Sequence, residues 1–456
     1  MIKKILVVFL LCLFASLYAI GQNNQFVNKT DSLLKYLHEN NRFCGTVLIS
    51  KGSNILFHKT FPANGETEVK DQYRIASITK MFTAVLIYQL VEEKKLSLSD
   101  KLQTYYPQIP NSEKITIQQM LAHQSGIPDL INDDDFSSIQ TKTMKKEDLI
   151  QLMVDYGSVF KPGEKTQYSN SNYLLLGFII EEITKISYSD NIQSRINKPL
   201  GLTQTYVESA TEAQSRKSGY QFNGAEWIKT SVETNATVSA AAGAIISSPN
   251  DLNIFIQQLF ASKLINKAHL DTMCKLTNKT YGHGIFYTPF EKHIGFGHTG
   301  HIDEFRSAVT YFEEDSLCIV LCLNGLNYPM NDIALGVLSY YFERDYKFPA
   351  ASAIQMGAEQ LIPFEGIYRL KLFHFIPITK IKIESENGVL VTAALKNYEA
   401  EKSIAEPIGT NTFKNFQYRS TLTFEYKKNG KVKGCFFQQG KSKLYCKKLR
   451  QGDPVA

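Results

Sequence analysis

The stretch that decides the fold is Tyr73-Arg-Ile-Ala-Ser-Ile-Thr-Lys-Met-Phe-Thr83, which opens a long apolar segment. From Ser77 to about Lys95 the segment is strongly helical in pattern and apolar on nearly every side, which predicts a helix inside a core. Residues three apart on a helix share a face, with Cβ atoms about 5–6 Å from each other. The pattern therefore predicts that the Ser77 hydroxyl lies beside the Lys80 amine.

A buried Ser77 and Lys80 pair has the chemistry of an activated nucleophile. A serine hydroxyl attacks poorly until a base removes its proton. Burial disfavours the charged amine of a lysine and lowers its pKa, so Lys80 can be that base. Backbone N–H groups at the helix N-terminus can stabilise a developing oxyanion. Alone, Ser-x-x-Lys is a weak signal, because a helix cap followed by a surface lysine gives the same spacing.

Two later segments carry groups that suit the same chemistry. Tyr168-Ser169-Asn170 is predicted to form the turn before a helix, where a tyrosine can relay protons and an asparagine amide can orient a lysine. His298-Thr299-Gly300 is predicted to follow one strand and precede another. Gly300 lets a ligand approach the backbone closely, and the next N–H, that of His301, could complete an oxyanion hole. The sequence has no Gly-x-Ser-x-Gly, His-Glu-x-x-His or Walker A motif.

In this order the three motifs resemble the serine β-lactamase and penicillin-binding protein superfamily. In detail the chain is similar to the class C β-lactamase-related serine hydrolases, which include D-alanyl-D-alanine carboxypeptidases, esterases and D-aminopeptidases. Two further stretches support the resemblance, Leu121-Ala-His-Gln-Ser-Gly-Ile-Pro128 and Ala242-Gly-Ala-Ile-Ile-Ser-Ser-Pro-Asn-Asp-Leu252. The similarity covers roughly residues 43–344.

The resemblance implies an acyl-enzyme reaction on an amide, ester or β-lactam bond, with no cofactor and no metal. Ser77 is the nucleophile, and Lys80 and Tyr168 share the proton transfers. Substrate binding falls to Asn170, His298, Thr299, Gly300 and His301. Because His298 replaces the lysine of related Lys-Thr-Gly motifs and is a weaker cation, a substrate carboxylate is less assured.

The residues after the third motif depart from the family pattern. His301 and Glu304 stand where relatives have small residues, which predicts a narrowed acyl pocket. Two alternatives stay open. The protein could be a non-catalytic, penicillin-binding-like protein of the cell envelope. His283, His293, His298 and His301 are also close enough in sequence to suggest a metal site, although no two have helical i, i+4 spacing.

The pattern of elements predicts an α+β fold in which an antiparallel sheet, built from both ends of the hydrolase region, is flanked by helices and accompanied by a helical lobe. Residues 1–21 are expected to be a signal peptide, because Lys3 and Lys4 precede an apolar run of signal-peptide length. Residues 22–350 are predicted to form the serine hydrolase domain and residues 351–360 a linker. Short strands then predict a small all-β, β-barrel-like domain over residues 361–456, which resembles lipocalin-like domains.

Composition narrows the function classes further. With 43% hydrophobic and 21% charged residues, the 456-residue chain is neither disordered nor a multispan membrane protein. Residues 361–456 hold 17 basic and 8 acidic residues, which favours weak association with an anionic envelope surface. The expected partner is a small-molecule or peptide substrate, such as a peptidoglycan fragment, and not nucleic acid. The signal peptide predicts secretion across the inner membrane to a periplasmic or extracellular location. In that oxidising setting Cys435 and Cys446, in two apparent neighbouring strands, could form a disulfide.

Overall fold

A computed structural model describes residues 24–63, 66, 70–132, 136–209, 216–348, 354–372, 376–395 and 402–449. The expected signal peptide and the first residues of the expected linker lie outside these ranges. In the part of the chain that is described, no helix combines the length and apolarity that a membrane crossing needs.

A six-stranded sheet is built from both ends of the hydrolase region, and the helices and barrel described below complete the predicted α+β class. In spatial order its strands are Asn54–Phe61, Phe43–Lys51, Leu317–Leu326, Phe305–Phe312, Gly295–Ile302 and Phe286–Tyr287. Neighbouring strands within each chain segment pair antiparallel. Nine of the ten residues in Leu317–Leu326 are buried, which explains why that strand is apolar throughout instead of alternating.

The strand that carries the third motif is longer than the sequence predicted. His298-Thr299-Gly300 lies inside the strand Gly295–Ile302, so the prediction that this motif lies between two strands was wrong. Glycines are poor strand formers, so the sequence did not indicate a strand at this motif. Continuous pairing with Phe305–Phe312 stabilises the strand in the folded chain. On the other side, Phe286–Tyr287 pairs only with residues 296 and 297, so among the described strands none covers the outer edge of residues 298–302.

The helices pack beside this sheet, and the central one begins next to Ser77. A single 3-10 turn, Ala76–Ile78, leads into the helix Thr79–Glu92, in which eleven of fourteen residues are buried. The other helices of this region are Ile117–Leu121, Phe136–Ile139, Lys146–Asp155, Asn170–Thr184, Tyr188–Ile192, Lys198–Leu200, Ala236–Gly243, Pro249–Phe260 and Lys267–Cys274. Side chains cap two of these helices, since Thr116 forms a capping box and the Ser248 hydroxyl accepts from the N–H of Asp251.

Short elements complete the region. One-turn 3-10 helices span Leu102–Thr104 and Leu130–Asn132, and a π-helical turn spans Gln193–Asn197. A three-stranded sheet has the order Tyr73–Arg74, Ile245–Ser247, Tyr206–Val207, and a two-stranded sheet pairs Tyr220–Phe222 with Trp227–Lys229. The short strand Tyr73–Arg74 fixes the entry into the turn that holds Ser77.

The chain divides into two compact units. One contains residues 24–27, 44–219 and 229–325, and the other contains residues 28–43, 220–228 and 326–449. The second unit holds the helix 24–39 over most of its length, the helices Met330–Tyr341 and Ala358–Leu361, a 3-10 turn at Ile362–Phe364, and a barrel. The barrel is closed by eight strands in chain order, which confirms the small all-β domain. They are Gly366–Leu372, Ile376–Glu386, Val389–Ala394, Ser403–Pro407, Thr412–Asn415, Ser420–Tyr426, Val432–Gln439 and Ser442–Lys448.

The barrel core is aromatic, with Phe364, Tyr368, Phe413 and Phe424 buried together. Ser403–Pro407 and Thr412–Asn415 are hard to recognise as strands from the sequence, because both are short, the first ends in proline and the second ends in asparagine. Cys435 and Cys446 are direct cross-strand partners, as their predicted neighbouring strands required, and both are free thiols in this structure.

Candidate active site

Ser77 and Lys80 meet across the junction between the 3-10 turn and the following helix. The Lys80 amine, Nζ, lies 3.0 Å from Ser77 Oγ. Lys80 has no exposed surface, while Ser77 is partly exposed, so the hydroxyl is open to a substrate and the amine is not. Burial lowers the Lys80 pKa from its ordinary value to about 7, although the nearby Asp129 carboxylate opposes the shift. Near neutral pH the amine is therefore uncharged in a large fraction of molecules.

The other partners of Lys80 decide which way its lone pair points. Nζ lies 2.7 Å from Asn170 Oδ1 and 2.7 Å from the carbonyl oxygen of Ala242, and both of these oxygens only accept hydrogen bonds. An uncharged amine has two N–H groups, which these two oxygens occupy. The remaining lone pair then faces Ser77 Oγ, where it can accept the hydroxyl proton.

Asp129 fixes the orientation of Asn170. The amide nitrogen Nδ2 of Asn170 donates to both carboxylate oxygens of Asp129, at 3.1 and 3.2 Å, and the backbone N–H of Asn170 donates to Oδ1 at 3.1 Å. These donors force the amide oxygen of Asn170 towards Lys80. The sequence reasoning missed Asp129, although it directly follows the Leu121–Pro128 stretch.

Tyr168 reaches the nucleophile from the turn before the helix Asn170–Thr184. Its side chain hydrogen-bonds Ser77, and its ring lies 5.0 Å from Lys80 Nζ. Burial raises the Tyr168 pKa well above its usual value, so the phenol keeps its proton at neutral pH. Tyr168 is therefore suited to hold and pass a proton next to Ser77, and not to be the first base.

His123 holds the Tyr168 turn in place. Its ring centroid lies 4.2 Å from that of Tyr168, and its Nδ1 accepts from the backbone N–H of Ser169 at 3.1 Å. Because Nδ1 accepts, the ring proton is on Nε2, which lies 3.1 Å from the Tyr281 hydroxyl. Burial and the Lys80 charge lower the pKa of His123 well below its usual value, so the ring is uncharged.

The strand Gly295–Ile302 packs directly against the turn that carries Ser77. It is called the edge strand below, because no described strand pairs with the outer side of residues 298–302. The Ser307 hydroxyl, on the neighbouring strand, donates to the carbonyl of Ile75 at 2.8 Å. Gly300 faces Ser307 across the strand pair, and a Cβ added at Gly300 would lie 2.1 Å from the Ile75 oxygen. Only a residue without a side chain fits there, and this contact brings the backbone of residues 298–302 beside the nucleophile.

Two alanines in this region have unusual backbone angles. Ala76, directly before Ser77, has φ 49°, and Ala240 has φ 29° and ψ −127°. Such conformations cost free energy and persist only where surrounding structure enforces them. The kink at Ala240 interrupts the helix Ala236–Gly243, and two residues later the Ala242 carbonyl meets Lys80. The sequence stretch that starts at Ala242 thus supplies a backbone acceptor that residue identity alone did not reveal.

The remaining predicted site residues lie along the edge strand. His298 is buried, with its Nδ1 2.6 Å from the carbonyl of Thr299, and Gly300 is also buried. Thr299 and His301 are exposed. Glu304 lies in the two-residue turn after this strand and is half-buried, and its burial raises its pKa.

The four histidines of the metal hypothesis have separate surroundings. The side chain of His283 contacts Tyr88, that of His293 contacts Asp315, His298 contacts the Thr299 carbonyl, and His301 is exposed. In the described ranges no three His, Cys, Asp or Glu side chains gather in a way that could hold a metal ion.

A family profile described as Beta-lactamase matches residues 31–338, which is most of the chain. The chain belongs to the beta-lactamase family. The match places Ser77, Lys80, Tyr168 and the strand Gly295–Ile302 inside the family region, and it ends before the barrel begins. Membership places the chain in the serine β-lactamase and penicillin-binding protein superfamily.

Known proteins of several kinds are similar to this beta-lactamase family member. "Protein flp" of Staphylococcus aureus (strain MRSA252) is 30% identical over 298 residues, which cover 61% of this chain and 59% of that protein. The chain thus spans about three fifths of that relative's length. A structure of the octameric penicillin-binding protein homologue from Pyrococcus abyssi has a TM-score of 0.62 at 23% identity, covering 92% of this chain and 99% of its own. A D-stereospecific amidohydrolase from Streptomyces sp. has a TM-score of 0.59 at 24% identity, covering 69% and 98%. At these identities the structural likeness concerns the fold.

Proposed function

We propose that this protein is an exported serine hydrolase that cleaves an amide, ester or β-lactam bond through an acyl-Ser77 intermediate. One observation carries the proposal. The fully buried Lys80 amine lies 3.0 Å from Ser77 Oγ, while two acceptor oxygens occupy its N–H groups. A lysine held in this way has its lone pair directed at the hydroxyl, which is what a general base needs.

The arrangement supports a balanced sequence of steps. Lys80 takes the proton of Ser77 as Oγ bonds to the substrate carbonyl carbon, and the carbonyl oxygen becomes an oxyanion. The backbone N–H groups of Ser77 and His301 are the expected donors to that oxyanion. As the bond to the leaving group breaks, the leaving nitrogen or oxygen takes a proton from Tyr168, which recovers one from Lys80. Water then attacks the ester carbon and transfers a proton to Lys80. Ser77 Oγ leaves and takes that proton back, which restores the starting state.

The proposed substrate is a small amide or ester, such as a peptidoglycan-derived peptide. The chain is similar to a penicillin-binding protein homologue and to a D-stereospecific amidohydrolase. These names support the proposed class, because penicillin and the substrates of an amidohydrolase both contain an amide bond. Thr299 and the open edge of residues 298–302 offer backbone groups along which an extended acyl chain could lie.

Replacing the nucleophile tests the proposal. The wild-type protein should gain the mass of one fluorophosphonate adduct on Ser77, and it should hydrolyse p-nitrophenyl esters. Ser77→Ala should lose both, because no other hydroxyl contacts the Lys80 amine among the hydrogen bonds described here.

The matched control is Ser53→Ala, which removes an exposed hydroxyl in the turn between two strands. It should label and turn over like the wild type. Labelling that persists in Ser77→Ala, or that is absent from the folded wild type, would contradict the proposal and favour the non-catalytic envelope-binding alternative.

The charge of the barrel supports a second proposal, that the protein associates with the cell envelope. A wide groove of about 970 Å³ at the barrel has five lysines in its lining, Lys427, Lys431, Lys433, Lys447 and Lys448. The first four of these lysines are exposed. Lys433 forms an ion pair with Glu425 at 3.6 Å, so part of its charge is already neutralised. We propose that this lysine groove binds anionic envelope polymers weakly and holds the exported hydrolase near its substrate.

The association should weaken with salt, because the Debye length falls from about 10 Å at 0.1 M to about 3 Å at 1 M. Sedimentation with poly(glycerol phosphate) beads should retain the wild type at low salt only. Changing Lys427, Lys431 and Lys447 together to Gln should reduce retention several-fold. The control changes Lys51, Lys94 and Lys161 to Gln, which removes the same charge from exposed positions elsewhere. Equal retention of both triple variants would show that net charge alone is responsible.

A further inference from the structure

Aromatic side chains fill only one half of the barrel interior. The Phe364 ring packs against the rings of Phe413 and Phe424, at centroid distances of 5.0 and 4.6 Å. Residues an even number of positions apart on a strand share a face, so Asn415 points to the same side as Phe413, and Ser420 to the same side as Phe424. Away from the aromatic end, the inward positions of these two strands therefore change from phenylalanine to small polar residues.

A cavity of about 320 Å³ lies where these smaller side chains face inward. An eight-stranded barrel is just wide enough for side chains to fill or for one small ligand to occupy. Small residues are direct partners here, Thr392 with Ser403 and Asn415 with Ser420, so they leave the space between the strands unfilled. The volume is within the range of about 300–1,000 Å³ that is usual for small-molecule pockets. Six neighbouring strands and one turn supply the lining, which is Ile381, Thr392, Ser403, Ala405, Asn415, Tyr418, Ser420, Leu422, Phe437 and Gln439.

The lining carries no charge. Among the described residues that form it there is no Asp, Glu, Lys, Arg or His. Arg419 adjoins the lining in the turn after Thr412–Asn415, but its guanidinium forms an ion pair with Asp332. A charged ligand would lose its hydration in this cavity without gaining a counter-ion, which is costly. The cavity therefore suits a neutral molecule.

Some of the polar groups in the lining bond to each other. The hydroxyls of Thr392 and Ser403 lie 3.1 Å apart. At the exposed end of the cavity, the Gln439 amide nitrogen donates to the carbonyl oxygen of Tyr418 at 2.9 Å. Because both of these residues are exposed, they mark the mouth through which a ligand can enter.

Two buried polar side chains in the lining keep unused hydrogen-bonding capacity. Asn415 and Ser420 are each 6% exposed and lie directly opposite each other. The Asn415 amide oxygen accepts from the backbone N–H of Tyr418 at 2.8 Å, which leaves its NH₂ group without an acceptor among the described residues. The Ser420 hydroxyl also has no partner in the described ranges. A ligand with an acceptor atom between them would satisfy both groups.

We propose that this barrel cavity binds one small neutral amphiphile that carries a carbonyl group. The carbonyl oxygen accepts from Asn415 and Ser420, and the hydrocarbon part packs against Leu422, Phe437 and Ile381. Fatty amides and fatty esters have this chemistry. The inference concerns the barrel alone and does not depend on the proposed hydrolase function.

A fluorescent ketone tests the site. Prodan, 6-propionyl-2-(dimethylamino)naphthalene, is neutral, mostly apolar and has one carbonyl group. The measurement uses the full-length Ser77→Ala chain, so that an amide competitor is not consumed. Prodan emission should shift to shorter wavelength and saturate at one equivalent per chain. Decanamide should displace it, whereas decanoate, which has the same chain length and a charge, should need about tenfold higher concentration. Absence of saturable binding, or equal displacement by the two competitors, overturns the inference.

Filling the cavity shows where the probe binds. Ser420→Leu places a larger side chain in the empty volume and removes a hydroxyl that has no partner, so it should weaken Prodan binding by about tenfold while the variant stays folded. Thr421→Leu is the matched control, because it adds the same side chain to the outer face of the same strand. It should bind Prodan like the parent chain. Undiminished binding by folded Ser420→Leu would show that the probe is not in the barrel.

A second variant tests the hydrogen bond and carries the test if Ser420→Leu fails to fold. Asn415→Asp keeps the oxygen that accepts from the Tyr418 N–H and loses the amide donor. It should weaken Prodan binding by about fivefold or more, because a carboxylate next to the probe carbonyl cannot donate to it. Urea unfolding confirms that the variant is folded. Binding as tight as that of the parent chain would refute the role of Asn415.

Discussion

The proton on Lys80 controls whether Ser77 can react. With a Lys80 pKa of about 7, the fraction of uncharged amine rises tenfold per pH unit below 7 and levels off above it. We therefore expect the rate of Ser77 labelling by a fluorophosphonate to rise through a single transition near pH 7. The buffer-corrected rate of probe loss without protein is the control. A rate that stays flat from pH 5 to pH 9 would remove Lys80 from the role of base.

The same burial makes Lys80 a cost to stability at neutral pH. Its pKa is lower in the folded chain than the ordinary value of 10.5, so the unfolded chain binds more protons between about pH 7 and pH 10.5. Stability from this group should rise with pH in that window, by at most about 1.4 kcal/mol per pH unit, and its full penalty remains below pH 7. Lys80→Met should be inactive yet should lack this slope, as measured by urea unfolding at several pH values. Parallel slopes for both proteins would contradict the assignment.

At the residue scale, spacing was enough to predict which side chains form the site but not what holds them. Ser77 and Lys80 are three residues apart, so local geometry predicts their contact. Asp129 contacts Asn170 across 41 positions of sequence, and the Ala242 carbonyl reaches Lys80 across 162. Contacts of that kind depend on how whole segments pack. Every residue has a backbone oxygen, so the residue type does not indicate which oxygen contacts Lys80.

At the scale of elements, a buried charge network links the Ser77 turn to the edge hairpin. Arg74 pairs with Asp303, in the turn after the third motif, and its Nε lies 2.9 Å from Glu208. Arg216 continues the network at 2.6 Å from Glu208 and 2.6 Å from Glu233. Arg74 is 1% exposed, so its partners have little access to water. The network positions both sides of the candidate oxyanion site.

Arg74→Met should destabilise the protein by about 3–5 kcal/mol, because it leaves buried carboxylates without their partner. Urea unfolding measures the loss. Arg195→Met is the control, since its Glu93 partner is 36% exposed and surface pairs contribute about 0–1 kcal/mol. Ser77 labelling should also slow in Arg74→Met at urea concentrations where the fold persists. Equal unfolding midpoints for the two variants would refute the role given to the network.

The strand Gly295–Ile302 shows why elements were harder to predict than side chains. Its glycines and histidines predict a break after Phe296, yet Gly297 and Gly300 are required by close approach, with Gly300 against Ile75. Residues chosen for close packing at a site carry little propensity for the element they form. The helix Thr79–Glu92 was predictable because a helix that is buried on nearly every side needs a long run of apolar residues, which is visible in the sequence.

At the scale of the whole molecule, the barrel shares a compact unit with the segment before the first strand and with the last helix of the family region. Within this unit Arg42 pairs with Glu406, and the Arg42 guanidinium lies 3.9 Å from the centre of the Phe416 ring. The Asn327 amide donates to the same Glu406 carboxylate at 3.0 Å. The sequence predicted a hydrolase domain of residues 22–350 and a separate barrel. Two separate domains would not explain why Arg42 is only 4% exposed.

Removing the barrel should therefore cost stability and not only envelope binding. A chain that ends at Phe348 would leave the Arg42 guanidinium without its carboxylate, and losing one partner of a buried pair costs about 3–5 kcal/mol. We expect this shortened chain to unfold at a lower urea concentration than the full chain. Glu406→Gln in the full chain should reproduce part of the loss, whereas Glu425→Gln, which removes an exposed pair with Lys433, should not. If the shortened chain unfolds at the same midpoint as the full chain, residues 22–350 are an independent domain and the barrel is an appended module.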